Sequence, residues 1–380
     1  MKYKLQDIVD VTMGQSPKSE FYNNDGEGVP FLQGNRTFGF KYPTFDTFTT
    51  MVTKEAKAGD VIMSVRAPVG DLNITPVDIC LGRGVCSLRM KNGNQEFLYY
   101  MMKYYIPQLI NKESGTVFGS VNRNDIIELE IDIPNDAEKQ GKISRFLSML
   151  DEKIQINNKI NNNLLDQALT LYATYFAESD KNGFIGDYCT IKSGFAFKSS
   201  WWTENGVKVI KIGSINQDNL NLAECSYVDV DKIDKAKDFK VGAGDLLIAM
   251  TGATIGKFAM VPYCTETLLV NQRVGKFFLG DNPVEKLPFI YCTLKQPDVY
   301  YEIVNRGQGS AQPNISAADI MSIPCVIPTA DVLNTFNDTV QPLFDLIITN
   351  QQENQRLSEL RDTLLPKLIS GELDVSDIQF

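Results

Sequence analysis

The sequence contains no histidine. That absence removes Ser-His-Asp and Cys-His relays and every His-ligated zinc or iron site, so catalysis would have to rest on carboxylates, lysine, cysteine or tyrosine. The seven cysteines, Cys80, Cys86, Cys189, Cys225, Cys264, Cys292 and Cys325, are odd in number and never form a CxxC pair. Neither a disulfide framework nor a cysteine zinc knuckle is indicated, no metal site is expected, and the thiols read as small buried apolar groups in a reducing compartment. No stretch approaches the roughly 20 uninterrupted apolar residues of a membrane span, and the opening MKYKLQDIVDV lacks a signal-peptide core. A cytoplasmic protein with no membrane contact is the expectation.

An excess of positive charge is also missing: the 380 residues carry a formal net charge of -10. For a single body this would argue against nucleic-acid binding, which usually leaves a basic footprint. Counted by region, however, residues 1–135 carry -2, 136–180 carry -2, 181–330 carry 0 and 331–380 carry -6. The acid is concentrated in the tail.

An internal repeat with a period near 190 organises the chain. Ala58-Gly59-Asp60-Val61-Ile62-Met63 recurs as Ala243-Gly244-Asp245-Leu246-Leu247-Ile248, and Ile131-Asp132-Ile133-Pro134 as Cys325-Val326-Ile327-Pro328. Each copy opens with short β-rich runs (Asp60 to Val65, Val207 to Ile212, Asp245 to Met250), Gly/Asn/Pro turns and one aromatic helix, Glu96 to Leu109 or Pro288 to Tyr301. After Pro134 and Pro328 the texture changes to a long helical period.

Stepping by four and three from Ile143 gives Leu147, Leu150, Ile154, Asn157, Asn161, Leu164, Ala168, Leu171 and Tyr175; at an offset of 193 the second helix gives Phe336, Val340, Leu343, Ile347, Asn350, Asn354, Leu357, Arg361, Leu364 and Leu368. These are coiled-coil seams with asparagine at the same two places. In an antiparallel pair Asn157 faces Asn354 and Asn161 faces Asn350, and the amides set the register. Pro342 predicts that the second long helix starts near Gln341, and Pro366 that it ends or kinks near Leu365.

Two mixed domains alternating with two repeated helices resemble the specificity subunit of type I restriction-modification systems. The resemblance covers essentially the whole chain. It is carried by Lys4-Leu5-Gln6-Asp7 followed by Gly14, by the Ala-Gly-Asp motif in both halves, by the Ile-Pro exits, and above all by the terminal Leu364-Leu365-Pro366-Lys367-Leu368-Ile369-Ser370-Gly371-Glu372-Leu373. It implies an α+β fold: two mixed α/β target-recognition domains in pseudo-twofold repeat (1–135 and 181–330), separated by a central helix (136–180) and a C-terminal helix and tail (331–380) that form an antiparallel coiled coil. Each domain would read one half of a bipartite double-stranded DNA target. The helices, about 57 Å long for about 38 residues, would set the spacer and dock two methyltransferase subunits, with restriction subunits joining where the system has them. The subunit would be non-catalytic and bind no cofactor, S-adenosylmethionine belonging to the methyltransferase. The sequence agrees in carrying no Asn/Asp-Pro-Pro-Tyr motif, no Gly-rich cofactor loop and no P-loop.

Recognition of bases and phosphates calls for Arg, Lys, Asn and Gln on polar loops. The candidates in the first domain are Gln33, Asn35, Arg36, Arg66, Arg83 and Arg123; in the second they are Lys211, Asn216, Thr251, Asn271, Arg273, and Arg306 and Gln308 in the loop from Asn305 to Ser310. Trp201-Trp202 reads first as a packing pair. The acidic tail reads as a protein-docking surface. The rival function is a pseudo-symmetric scaffold joining protein partners without touching DNA, which steep salt dependence of DNA binding would exclude.

Overall fold

The computed structural model describes residues 1–111, 119–307 and 313–375. It divides into two compact units, Met1–Gln155 with Leu357–Phe380, and Ile156–Arg356. Each unit takes one half of both long helices.

In the first unit, strands β1 (Val9–Met13), β2 (Val29–Leu32), β3 (Val61–Ser64), β4 (Leu72–Ile74), β5 (Ile79–Leu81) and β6 (Val85–Met90) precede helix α1 (Gln95–Asn111) and the 40-residue helix α2 (Ala137–Phe176). One sheet is antiparallel in the order β1-β6-β3-β4. A second, five-stranded sheet pairs β2 in parallel with β5. β3 is buried along its whole length, so its Val-Ile-Met run is apolar on both faces rather than alternating. Its entry turn explains the Ala-Gly-Asp motif. Gly59 has φ +86, and the Asp60 carboxylate accepts the Lys57 amide at 2.9 Å and meets Arg89 on β6 at 2.7 Å.

The second unit has the same strand order. Here β7 (Thr190–Ser193), β8 (Val207–Ile210), β9 (Leu246–Ala249), β10 (Phe258–Met260), β11 (Leu268–Val270) and β12 (Val274–Phe278) give the antiparallel sheet β7-β12-β9-β10 and the parallel pair β8-β11. Gly244 (φ +79) and Asp245 repeat the turn: the Asp245 carboxylate accepts the Gly242 amide at 2.9 Å and pairs with Lys276 on β12 at 2.7 Å. In each unit the opening segment pairs with the strand before the Ile-Pro exit, Lys2–Lys4 with Glu130–Asp132 and Gly183–Phe184 with Pro324–Cys325.

The expected second aromatic helix from Pro288 to Tyr301 is two helices, α3 (Pro283–Leu294) and α4 (Pro297–Gly307). Pro297 fits a first helical position, where its missing N–H costs nothing, and it starts a new helix instead of extending the old one. The second correction concerns the last helix, α5, which is continuous over the 41 residues Ala330–Ser370 and passes through both Pro342 and Pro366. Both prolines are exposed, and the carbonyls they release, four residues back at Asp338 and Asp362, belong to exposed residues where water can replace the lost bond. Buried Val340, Phe344, Leu365 and Leu368 hold the helix against its neighbours across each interruption.

Every seam position of α2 and α5 is buried or half-buried. In the first unit Ile143 and Leu147 of α2 share a core with Leu365, Leu368 and Ile369 of α5, under the aromatic face of α1. In the second unit Ala168, Tyr172 and Phe176 share a core with Phe336, Val340 and Phe344. The pairing runs antiparallel. Arg361 Nη1 donates to Asp151 Oδ1 at 2.6 Å in the first unit; in the second, Asn157 Nδ2 donates to Asn354 Oδ1 at 2.9 Å and Asn350 Nδ2 to Asn161 Oδ1 at 2.8 Å. Six of the seven cysteines are buried, and burial pushes Cys86, Cys189, Cys292 and Cys325 up to about 12.

Each unit also ties a domain loop to a long helix. Lys41, almost fully buried, donates to Glu96 on α1 at 2.7 Å and to Ser148 on α2 at 3.1 Å. In the second unit Asp218 accepts from Tyr291 on α3 and from Lys295, the residue that caps its end, while its carbonyl accepts from Gln351 on α5 at 3.0 Å. Asp218 sits at φ +64, a left-handed conformation that Asp tolerates better than most residues.

Candidate nucleic-acid interface

Backbone hydrogen bonds stitch the candidate loops of the first unit into one edge. The Gly84 amide donates to Gln33, the Val65 amide to Gly84, and the Val121 amide to Val65, at 2.9, 2.9 and 3.0 Å. Gln33, Arg83, Arg66 and Arg123 therefore leave neighbouring segments. Glycine is required at this crossing. A Cβ at Gly84 would lie 2.4 Å from the Gln33 carbonyl oxygen, and one at Gly82 2.6 Å from Gln33 Cα.

The second unit repeats the stitching: Asn271 donates to Ile210, Met250 to Arg273, and Ile315 to Met250, each at 3.0 Å. Lys211, Asn271, Arg273 and Thr251 are gathered on that edge. Thr251 also bridges Asn314, and its buried hydroxyl oxygen has no partner. Asn216, five residues beyond Lys211, is exposed in a small hairpin, Ile215–Asn216 against Asn219–Leu220.

The individual side chains differ in how free they are. Arg66, Arg83, Arg123 and Arg273 are exposed. Asn35 donates to Asp71 at 2.6 Å, and Arg36 pairs with Asp46 at 2.7 Å, holding the Asp46 carboxyl below its usual range. Gln33 and Arg36 line a cleft of about 150 Å³ with Tyr22, Phe31 and Asp46. The Asn271 side chain accepts the Arg273 amide at 3.2 Å and shapes its own turn.

Arg306 is not in a loop. It ends α4, bonded to Glu302 at 2.8 Å, the Asp319 carbonyl at 3.0 Å and Ser322 at 2.6 Å, so its guanidinium is spent on closing the domain. Gln308 lies outside the described residues. The acid that engages Asn35 left no trace in the local pattern, because Asp71 is brought in by the sheet.

Among the described residues no helix is long and apolar enough to cross a membrane. The family described as the type I restriction modification DNA specificity domain matches residues 1–166 and 179–360. The type I restriction enzyme MjaIX specificity subunit of Methanocaldococcus jannaschii is 27% identical over 99% of this chain and 94% of its own length. The putative MjaX specificity subunit of the same organism is 38% identical, but over 39% of this chain and 35% of its own length. The HindI specificity subunit of Haemophilus influenzae is 24% identical over 84% of this chain and 88% of its own. Among solved structures, the S subunit of a type I system from M. genitalium has a similar fold, with a TM-score of 0.53 at 18% identity over 97% of this chain and 96% of that one. With the matched segments spanning both units and the same stitched loop edge in each, the chain belongs to the type I restriction-modification DNA specificity family.

Proposed function

We propose that the chain is the non-catalytic specificity subunit of a type I restriction-modification complex. Residues 1–135 and 181–330 each read one half of a bipartite double-stranded DNA target. The helices of 136–180 and 331–380 pair as an antiparallel coiled coil that sets the spacer, with Asn157, Asn161, Asn350 and Asn354 fixing the register. They dock two methyltransferase subunits, which bring S-adenosylmethionine, and the acidic tail serves that docking; restriction subunits join the same cytoplasmic complex where the system has them. The observation that carries this reading is the polar loop edge, stitched by equivalent backbone bonds in both units. The two domains together carry a net charge of only -2, so the partners supply much of the phosphate contact.

Single-molecule methylation sequencing tests it. A strain co-expressing this chain and its methyltransferase is expected to methylate a split, non-palindromic sequence that is unmethylated when either is absent. A methylome with no such motif overturns the reading.

A further inference from the structure

The second unit carries a cluster that base reading alone does not use. Phe195, Phe197, Trp201 and Trp202 form a half-buried aromatic group, with Phe195 stacked on Trp201 at 5.9 Å and 13°. Three ammonium groups lie on its faces: Lys211 Nζ is 3.7 Å from the centre of the Trp202 ring, and Lys235 and Lys198 are 5.3 and 5.9 Å from that of Trp201. Four other lysines of the unit are matched with acids, Lys181 with Asp298, Lys208 with Glu266, Lys276 with Asp245 and Lys295 with Asp218. Among the described residues Lys198, Lys211 and Lys235 are not. Lys235 faces Trp201 although Asp231, Asp234 and Asp238 flank it in sequence. The ammonium groups lie over the rings, and among the described residues none of the three forms an ion pair.

We propose that Lys198, Lys211 and Lys235, held on Trp201 and Trp202, form a binding site for backbone phosphates of the DNA duplex. The proposal rests on the reading of the chain as a DNA-specificity subunit. An ammonium on an aromatic face is oriented but not neutralised, so it keeps its attraction for an anion while losing little side-chain freedom on binding. Burial lowers the Lys211 pKa with no opposing carboxylate, which marks a desolvated cation that gains from a phosphate. The cluster also borders the loop edge. Phe195 accepts the Gln272 amide and donates to Val270, flanking Asn271, and Lys211 leads directly into the Ile212–Ser214 turn.

The corresponding positions of the first unit do not repeat this cluster. Its corresponding positions are Lys18, which pairs with Glu20 at 3.8 Å, Tyr22, whose hydroxyl donates to the Pro17 carbonyl, and the uncharged Gln33. Phosphate contact by this chain is therefore lopsided, with the second domain anchoring the backbone.

The test is anisotropy of a labelled random-sequence duplex with the full chain in its methyltransferase complex, between about 50 and 200 mM salt. Each lost phosphate contact flattens the slope of log K against log salt by about 0.9, so the triple variant K198Q/K211Q/K235Q is expected to lose about 2 to 3 of that slope. Lys211→Gln alone, the milder change should the triple variant fold poorly, is expected to lose about 0.9, and Trp202→Ala more than Trp202→Phe. An unchanged slope in folded variants overturns the site and leaves DNA reading standing. A wild-type complex without salt-dependent binding overturns both. An unchanged slope with loss of methyltransferase co-purification overturns the phosphate site in favour of a protein contact.

Discussion

The two units close the same helix pair with opposite chemistry. In the first, Asp151 is fully buried and accepts from Arg361 Nη1 at 2.6 Å and from Tyr100 Oη at 2.7 Å, while Arg361 also reaches Asp362. At the offset of 193 the corresponding residues are Phe344 for Asp151 and Ala168 for Arg361, both buried in carbon, with Phe344 edge-on to Tyr291 at 5.2 Å. The domain anchors are reversed in the same way. A lysine from the loop meets a glutamate on α1 in the first unit, and an aspartate from the loop meets the lysine that caps α3 in the second. One seam pattern thus tolerates different locks, and the locks make the two helices non-interchangeable. A copy of α5 paired with itself would set Arg361 against Phe344, leaving the buried guanidinium with only its neighbour Asp362.

That contrast can be broken most forcefully at Arg361. Arg361→Ala leaves the buried Asp151 with Tyr100 alone and is expected to cost about 3 to 5 kcal/mol in chemical denaturation. Asp151→Phe combined with Arg361→Ala gives the first unit the chemistry of the second and is expected to recover most of that loss, since a well-packed apolar pair often replaces a buried ion pair at little cost. A loss below about 1 kcal/mol for the single variant would show that the charge lock does not hold the helices.

The amide layers sharpen the comparison from the other side. Asn157 donates to both Asn354 and Glu353, while its own buried carbonyl oxygen has no partner. Replacing all four of Asn157, Asn161, Asn350 and Asn354 by Leu is expected to raise stability by about 1 to 2 kcal/mol and to loosen the register, read as methylation at more than one half-site spacing. Unchanged stability together with strict spacing would remove the amides from any role in alignment.

The smallest effect concerns Lys103 on α1, over the Tyr99 ring at 4.9 Å. Burial, helped by Arg361, pushes its pKa down to about 8 from the ordinary 10.5. Between those values the unfolded chain holds the extra proton on this lysine, so the contribution of Lys103 to stability rises with pH through the window, by about 1 kcal/mol once solvent screening is allowed for. Tyr99, Tyr100 and the buried thiols work the other way: burial raises their pKa, the unfolded chain loses their protons first, and their contribution falls as pH rises. Lys103→Met is expected to remove the lysine's share, measured as a denaturation midpoint that falls more between about pH 8 and about pH 10 than that of the unaltered chain.

Much of this architecture is legible in the residues because its signals are local. A four-three spacing puts Ile143, Leu147 and Ile154 on one helix face whatever surrounds them, and a glycine before an aspartate marks the same turn in both halves. Polar Gly/Asn stretches pointed to the loops that the sheets gather into one edge. Local rules misled at Pro342 and Pro366, where packing on the buried side outweighed the lost hydrogen bonds, and at Arg306, whose partner groups at Asp319 and Ser322 lie beyond the segment that a loop pattern describes.

By itself, then, the sequence determined the repeat, the two seams and the burial they demand, because periodicity and turn chemistry act over a few residues. Only the tertiary structure decided which charges meet: Asp151 with Arg361 across 210 positions, Lys41 with Glu96, and three lysines on two tryptophans with no acid between them. Those choices depend on distances that no local pattern encodes. They also turn a chain of net charge -10 into one with an unneutralised cationic site in its second unit.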